Sequence, residues 1–220
     1  MKYALVHIML SLALPFILAA KNLDITFSSG KEDTIQIIKD ESYMSFKRSL
    51  DVRIKERYSE MELRELADNL KNIDKKKYDR TFIMFYLPNM QIDAGAWASA
   101  IYDPNLSIRI LGATKEEYKS LTQNRKVNSD ESVLGVWIDD SPYMGKRVEL
   151  SKKSTEYFLR FTYKDGSEEV LPVRIKKTPS GKKISTEKGK KNGEFFIITP
   201  EGSLEYWDGE GCYYTADKQQ

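Results

Sequence analysis

The architecture turns on residues 80–111, which read RTFIMFYLPNMQIDAGAWASAIYDPNLSIRIL. Thr81–Leu87 is a continuous apolar and aromatic run that stops at Pro88. A run of that length predicts a strand buried on both faces. Asp103-Pro104-Asn105 is a turn signature, and Ile108 and Ile110 resume an alternation of period two, the mark of a half-exposed strand. The stretch as a whole therefore predicts three core strands. Between the first two lies Ala94-Gly95-Ala96-Trp97-Ala98, one large ring set among small side chains. Small residues allow a helix or a ligand to approach closely, and the expectation is that Trp97 fills the gap against a helix upstream.

That helix is announced by Ser59-Glu60-Met61-Glu62, a capping box with Ser at the N-cap and Glu at N3. Leu63, Leu66, Ala67, Leu70 and Ile73 follow at helical spacing and form the stripe of an amphipathic helix. Upstream of it, Leu50, Val52 and Ile54 alternate with Asp51, Arg53 and Lys55 as a half-exposed strand. Thr34–Ile38 is a short strand candidate, and the polar segment Lys21–Lys31 reads as a loose arm. Downstream, Thr114-Lys115-Glu116-Glu117 is a second capping box, opening a short helix through Leu121. Residues 33–122 thus predict an α+β unit, an antiparallel sheet carrying two helices. Residues 123–132 (QNRKVNSDES) are polar and aperiodic and read as a linker.

The pattern changes from residue 133. Short strand candidates recur every eight to twelve residues, the spacing of all-β folds: Leu134–Ile138, Lys146–Leu150, Thr155–Tyr163, Glu169–Ile175, Lys183–Glu187, Gly193–Thr199 and Ser203–Trp207, with Tyr213-Tyr214 as the candidate for an eighth. Asp165-Gly166 is a strong hairpin signal between the third and the fourth. Residues 133–215 therefore predict an all-β antiparallel meander, a small barrel or sandwich.

The first twenty residues stand apart. Lys2 precedes an almost wholly apolar run, Ala4–Leu18, and Ala19-Ala20 supplies small residues before Lys21. This is the pattern of a secretory signal peptide over residues 1–20, shorter than a comfortable membrane span. It predicts export to the periplasm or beyond, with no transmembrane segment in the cleaved chain. Cleavage would remove Lys2 from the 35 Lys and Arg, leaving 34 against 33 Asp and Glu. So balanced a charge gives no global argument for nucleic acid.

Cleavage would also remove His7, the one histidine of the chain. Histidine is the usual general base near neutral pH and the commonest metal ligand. Without it, Ser-His-Asp and Cys-His catalysis and histidine-based zinc sites are excluded. We therefore expect no catalytic residues, no metal site and no cofactor. The single cysteine, Cys212, has no partner for an internal disulfide. It reads as a small buried apolar residue, or else as a thiol for a bond between chains. Two acidic pairs, Asp139 with Asp140 and Asp208 with Glu210, lie in turns and lack the spacing of a calcium loop.

Two features remain as binding candidates. The aromatic residues Trp137, Tyr157, Phe161, Phe196 and Trp207 would line a barrel interior, which at eight strands is either filled by side chains or holds one small ligand. Residues 176–191 hold seven lysines against one acid, Glu187. Within them Lys176, Lys177, Lys182 and Lys183 would form a basic hairpin. Such a hairpin meets lipid headgroups, lipopolysaccharide or an acidic protein, or lies solvated at a sheet edge, where lysine blocks aggregation.

The second half, with Gly135-Val136-Trp137, Asp165-Gly166-Ser167, Gly193-Glu-Phe-Phe-Ile-Ile198 and Ser203-Leu-Glu205, resembles the lipocalin-like or calycin-like small barrels of exported bacterial proteins. The first half, through Arg80-Thr-Phe-Ile83 and Ala94-Gly-Ala-Trp97, is similar to modules that precede such barrels. A fainter likeness is to periplasmic lysozyme inhibitors, whose paired cysteines this chain lacks. The resemblance implies structure and brings no catalytic residues. The expected function is non-enzymatic binding in the cell envelope, of a protein partner or a small apolar ligand. The alternative is an inhibitor or immunity-type protein that occludes an envelope enzyme.

Overall fold

The computed structural model describes residues 20–88, 90–92, 95–123, 129–141 and 144–219. The expected signal segment lies outside them apart from Ala20, as do residues 124–128 of the expected linker, whose last two residues, Glu131 and Ser132, begin a strand. The described chain is mostly β, arranged as two sheets with three helices. None of these helices is long and apolar enough to cross a membrane.

The first sheet has six strands in sequence order: β1 (Lys21–Thr26), β2 (Glu32–Tyr43), β3 (Lys47–Arg53), β4 (Arg80–Tyr86), β5 (Ala98–Tyr102) and β6 (Leu106–Ile110). Helix α1 (Glu60–Ile73) connects β3 to β4. Neighbours are antiparallel except β3 and β4, which run parallel. The expectation of an antiparallel sheet is corrected accordingly: the sheet is mixed, because a helical crossover between adjacent strands returns the chain in the same direction. The expected loose arm is also corrected. Residues 21–26 form β1, since Leu23, Ile25 and Phe27 alternate, and Ile25 and Phe27 are buried.

Both halves of the α1 capping box are made. Ser59 Oγ accepts from Glu62 N at 3.2 Å, and Glu62 accepts from Ser59 N at 2.7 Å. Leu63, Leu66, Ala67 and Leu70 are wholly buried on the sheet, while Ile73, the end of the predicted stripe, is 38% exposed. In β4, Thr81, Ile83 and Phe85 are buried but Phe82 and Met84 are only half-buried. The run is thus a one-faced strand, not the doubly buried strand predicted, because α1 covers one face only and Lys47 is what lies over the Phe82 ring. Trp97 is fully buried in the cluster that holds Leu63, Leu66 and Leu70. Its Nε1 donates to Ala113 O at 2.9 Å.

The second sheet is an eight-stranded antiparallel meander: β7 (Glu131–Asp139), β8 (Lys146–Lys153), β9 (Glu156–Tyr163), β10 (Glu168–Thr178), β11 (Gly181–Ser185), β12 (Phe195–Ile198), β13 (Leu204–Trp207) and β14 (Cys212–Ala216). The sheet curls as a half-barrel, and the residues that follow β14 reach β7 through a bridge between Trp137 and Lys218 and a bond from Gln219 N to Val136 O at 2.8 Å. Within the segment expected to be strand then turn, Glu187–Asn192 is instead a short helix, α3. Thr186 caps it by accepting from Gly189 N at 2.8 Å, and Gly193 ends it with φ 77°, the left-handed conformation that glycine takes without strain. Cys212 is exposed, which corrects the expectation of burial. It pairs with Trp207 across β13 and β14, where the register shifts, away from the inward positions of Tyr214 and Ala216.

Helix α2 (Lys115–Thr122) joins the two sheets. Its own capping box, Thr114 with Glu117, is complete. Ala113, Leu121 and Ile138 form a small buried cluster. Arg147 of β8 is buried against α2 and donates to Leu121 O at 3.2 Å and Gln123 O at 3.3 Å, satisfying carbonyls at the helix end. Arg57 pairs with Asp140 across the junction and lies over the Tyr118 ring.

Candidate functional site

The site follows from the inward register of the second sheet. Strands alternate their side chains, so pairing rows carry one face around a curled sheet. One inward row runs Gly135, Leu150, Leu159, Leu171. Another runs Ile175, Ile184, Phe196, Tyr206, Tyr214. The row nearest the turns at residues 179–181 and 199–202 runs Lys177, Lys182, Ile198, Leu204, Ala216. On the neighbouring strands, Lys152 lies opposite Tyr157.

The interior is packed at one end and hollow at the other. In the packed end Phe196 meets Tyr206 edge-on at 4.9 Å, and Phe161 lies 6.2 Å from Phe196. The end is closed by an ion pair, Lys146 to Asp139 at 3.1 Å, with both side chains buried. Burial, and then the nearby Asp139 charge, push the phenols of Tyr206 and Tyr214 well above their usual range. Trp137 forms the floor between the two ends. Its Nε1 donates to Gly202 O at 2.8 Å, and its ring lies over Gly135, where a Cβ would sit 2.3 Å from Trp137 Cη2.

Above that floor opens a cavity of about 810 Å³, within the ~300–1,000 Å³ of small-molecule pockets. Leu150, Tyr157, Ile175 and Ile198 form its wall. Its rim carries Lys152, Lys177, Lys182 and Lys218, and no carboxylate is among its described lining residues. Each rim lysine sits where an inward alternation reaches the open end: Val148, Leu150, Lys152 in β8; Val173, Ile175, Lys177 in β10; Lys182 before Ile184 in β11; and Lys218 after Tyr214 and Ala216.

The aromatic residues expected to form one lining do not act together. Trp137 and Tyr157 face the cavity; Phe161 and Phe196 belong to the packed end. Trp207 is on the opposite face, because Phe196 pairs with Tyr206 and strand parity sends residue 207 outward. There its ring stacks on Phe195 at 5.9 Å and its Nε1 donates to Glu205 at 2.8 Å. Parity also divides the four lysines expected as one basic hairpin. Lys177 and Lys182 turn to the cavity, whereas Lys176 and Lys183 face out, and Lys183 Nζ lies 3.4 Å from the Phe195 ring centroid. Sequence reasoning passed over Lys152 and Lys218, although each continues an apolar alternation by one more inward step.

The acidic turn pairs have structural partners. Asp139 holds Lys146 and accepts from Ser141 N at 3.0 Å. Asp140 holds Arg57, and Asp208 accepts from Glu210 N at 2.8 Å within its own turn. Among the described residues no group of three acidic, cysteine or histidine side chains is placed to hold a metal. Pro142 and Tyr143, which follow Ser141 in the sequence, lie outside the described residues. Comparison with protein-family models, curated proteins and solved structures finds no match to this chain.

Proposed function

We propose that this protein is a non-enzymatic binding protein that takes one small, largely apolar molecule into the cavity of the second sheet. The observation that carries this reading is the division of a single interior. Below Trp137 it is filled with interlocked rings and a buried ion pair, and above it the apolar side chains of Leu150, Tyr157, Ile175 and Ile198 surround open volume. A filled interior serves stability alone, whereas apolar walls kept open represent burial the fold forgoes. The N-terminal sequence supports export, so the ligand would be met in the periplasm or outside the cell. The decisive measurement is native mass spectrometry of residues 21–220 purified from the expressing cell. An added mass on the order of a few hundred daltons, lost on denaturation, is the expected result. No added mass, together with no uptake of a neutral apolar fluorophore, would overturn the reading.

A second reading, occlusion of an envelope enzyme by an exposed loop, draws on the β2–β3 tip. Tyr43, Met44 and Phe46 are 66%, 64% and 56% exposed there, three large apolar side chains presented together on one turn. A photo-crosslinking residue placed at Tyr43 would give one discrete adduct in the expressing cell under this reading, and none without it.

A further inference from the structure

Resting on the reading of the cavity as a ligand site, we infer that its ligand is a single-chain amphiphile with an anionic head, the tail inside and the head held by Lys152, Lys177, Lys182 and Lys218. The four lysines come from four separate segments of chain and line one open cavity. None of them makes an ion pair with a carboxylate among the described residues. Protection of a sheet edge does not account for Lys152, paired with Ser132 and Tyr157, or for Lys182, paired with Lys177 and Ile198, since each has a strand on both sides. Lys177 and Lys182 lie directly opposite each other on one face, an arrangement of like charges that is unfavourable by itself. A bound anion relieves that repulsion. The stems of these lysines extend the apolar wall while their heads reach the mouth, so the opening changes from apolar to cationic along the path an acyl chain would take. The volume is that of one drug-sized molecule, which fits one chain rather than two.

The contrast between inward and outward lysines supplies the control. Affinities of the delipidated chain 21–220 for tetradecanoate, tetradecyl phosphate, tetradecanol and inorganic phosphate would be measured by displacement of a neutral apolar fluorophore and by calorimetry. Both anionic amphiphiles are expected to bind about tenfold more tightly than the alcohol at low salt, the scale of one or two partly exposed charge pairs. That preference should shrink as added salt shortens the screening length. It should vanish in the quadruple variant Lys152→Gln, Lys177→Gln, Lys182→Gln, Lys218→Gln, and persist in Lys176→Gln with Lys183→Gln. The wild-type salt dependence is a readout that needs no variant to fold. Equal affinity for tetradecanol and tetradecanoate would overturn the anionic head while leaving the apolar cavity standing. Inorganic phosphate binding as tightly as tetradecyl phosphate would overturn the amphiphile. Failure of every probe, the fluorophore included, would remove the cavity reading itself. The relative affinities of the carboxylate and the phosphate name the head group.

Discussion

At the scale of single residues, two tryptophans depend on neighbours with no side chain. A Cβ at Gly135 would lie 2.3 Å from the Trp137 ring, and one at Gly112 would lie 2.5 Å from Trp97 Cδ1. Neither glycine needs an unusual φ; what each needs is the absence of a methyl group. Gly135→Ala is expected to cost about 1–3 kcal/mol, the range for overpacking a close-fitted site. It should also displace the Trp137 indole from Gly202, which chemical denaturation read beside tryptophan fluorescence would register together. Charge behaves as locally. The phenols of Tyr206 and Tyr214 are raised by burial first and by Asp139 second. An acid whose folded pKa lies above its unfolded value, near 10 for tyrosine, contributes stability in full below that value and loses it as pH rises through the folded one. Stability should therefore hold up to about pH 10 and fall beyond it. These two phenols would then ionise only with unfolding, so tyrosinate absorbance and circular dichroism should change together for them.

At the scale of elements, the same signals serve both long helices, with unequal consequences. The boxes at Ser59 and at Thr114 were legible in sequence because a capping box is a contact three residues wide. Ser59→Ala and Thr114→Ala should each cost about 1 kcal/mol. In α1 that loss is spread over four wholly buried side chains, whereas α2 has one buried residue, Leu121, and joins the sheets. Thr114→Ala is therefore expected to raise hydrogen exchange in α2 well before global unfolding, while Ser59→Ala lowers the global transition. The strands were legible through period two, including the turn at Asp165-Gly166. Two elements escaped that reading. β1 was missed because its three alternating apolar residues sit in a polar context, and α3 because six residues with a Thr cap and a closing glycine leave no periodicity to count.

At the scale of the whole molecule, the junction rests on few groups. The Arg57–Asp140 pair is mostly buried, and Arg57 Nε and Asp140 Oδ1 have no hydrogen-bond partner there. A buried pair only partly satisfied is a poor source of net stability, yet removing one member strands the other. Arg57→Met or Asp140→Leu alone should cost about 3–5 kcal/mol, and the double variant clearly less than their sum. A double-mutant cycle by urea denaturation measures that difference, and additive losses would show that the pair is not coupled.

Local chemistry in the sequence determined the two longer helices and their caps, most of the strands, the antiparallel meander of the second sheet and the absence of histidine from residues 21–220. Those features are written in neighbours a few residues apart, where spacing alone sets the face a side chain takes. Only the tertiary structure decided that β3 and β4 run parallel, that Trp207 faces away from Phe196, and that Lys177 parts company with Lys176. It also decided that Lys152 and Lys218, 66 positions apart by their numbers, share one opening. Strand parity says that alternate residues part, but not which of the two faces closes inward. That choice is made when the sheet curls, and the direction of curl is set by pairing between segments far apart in the chain.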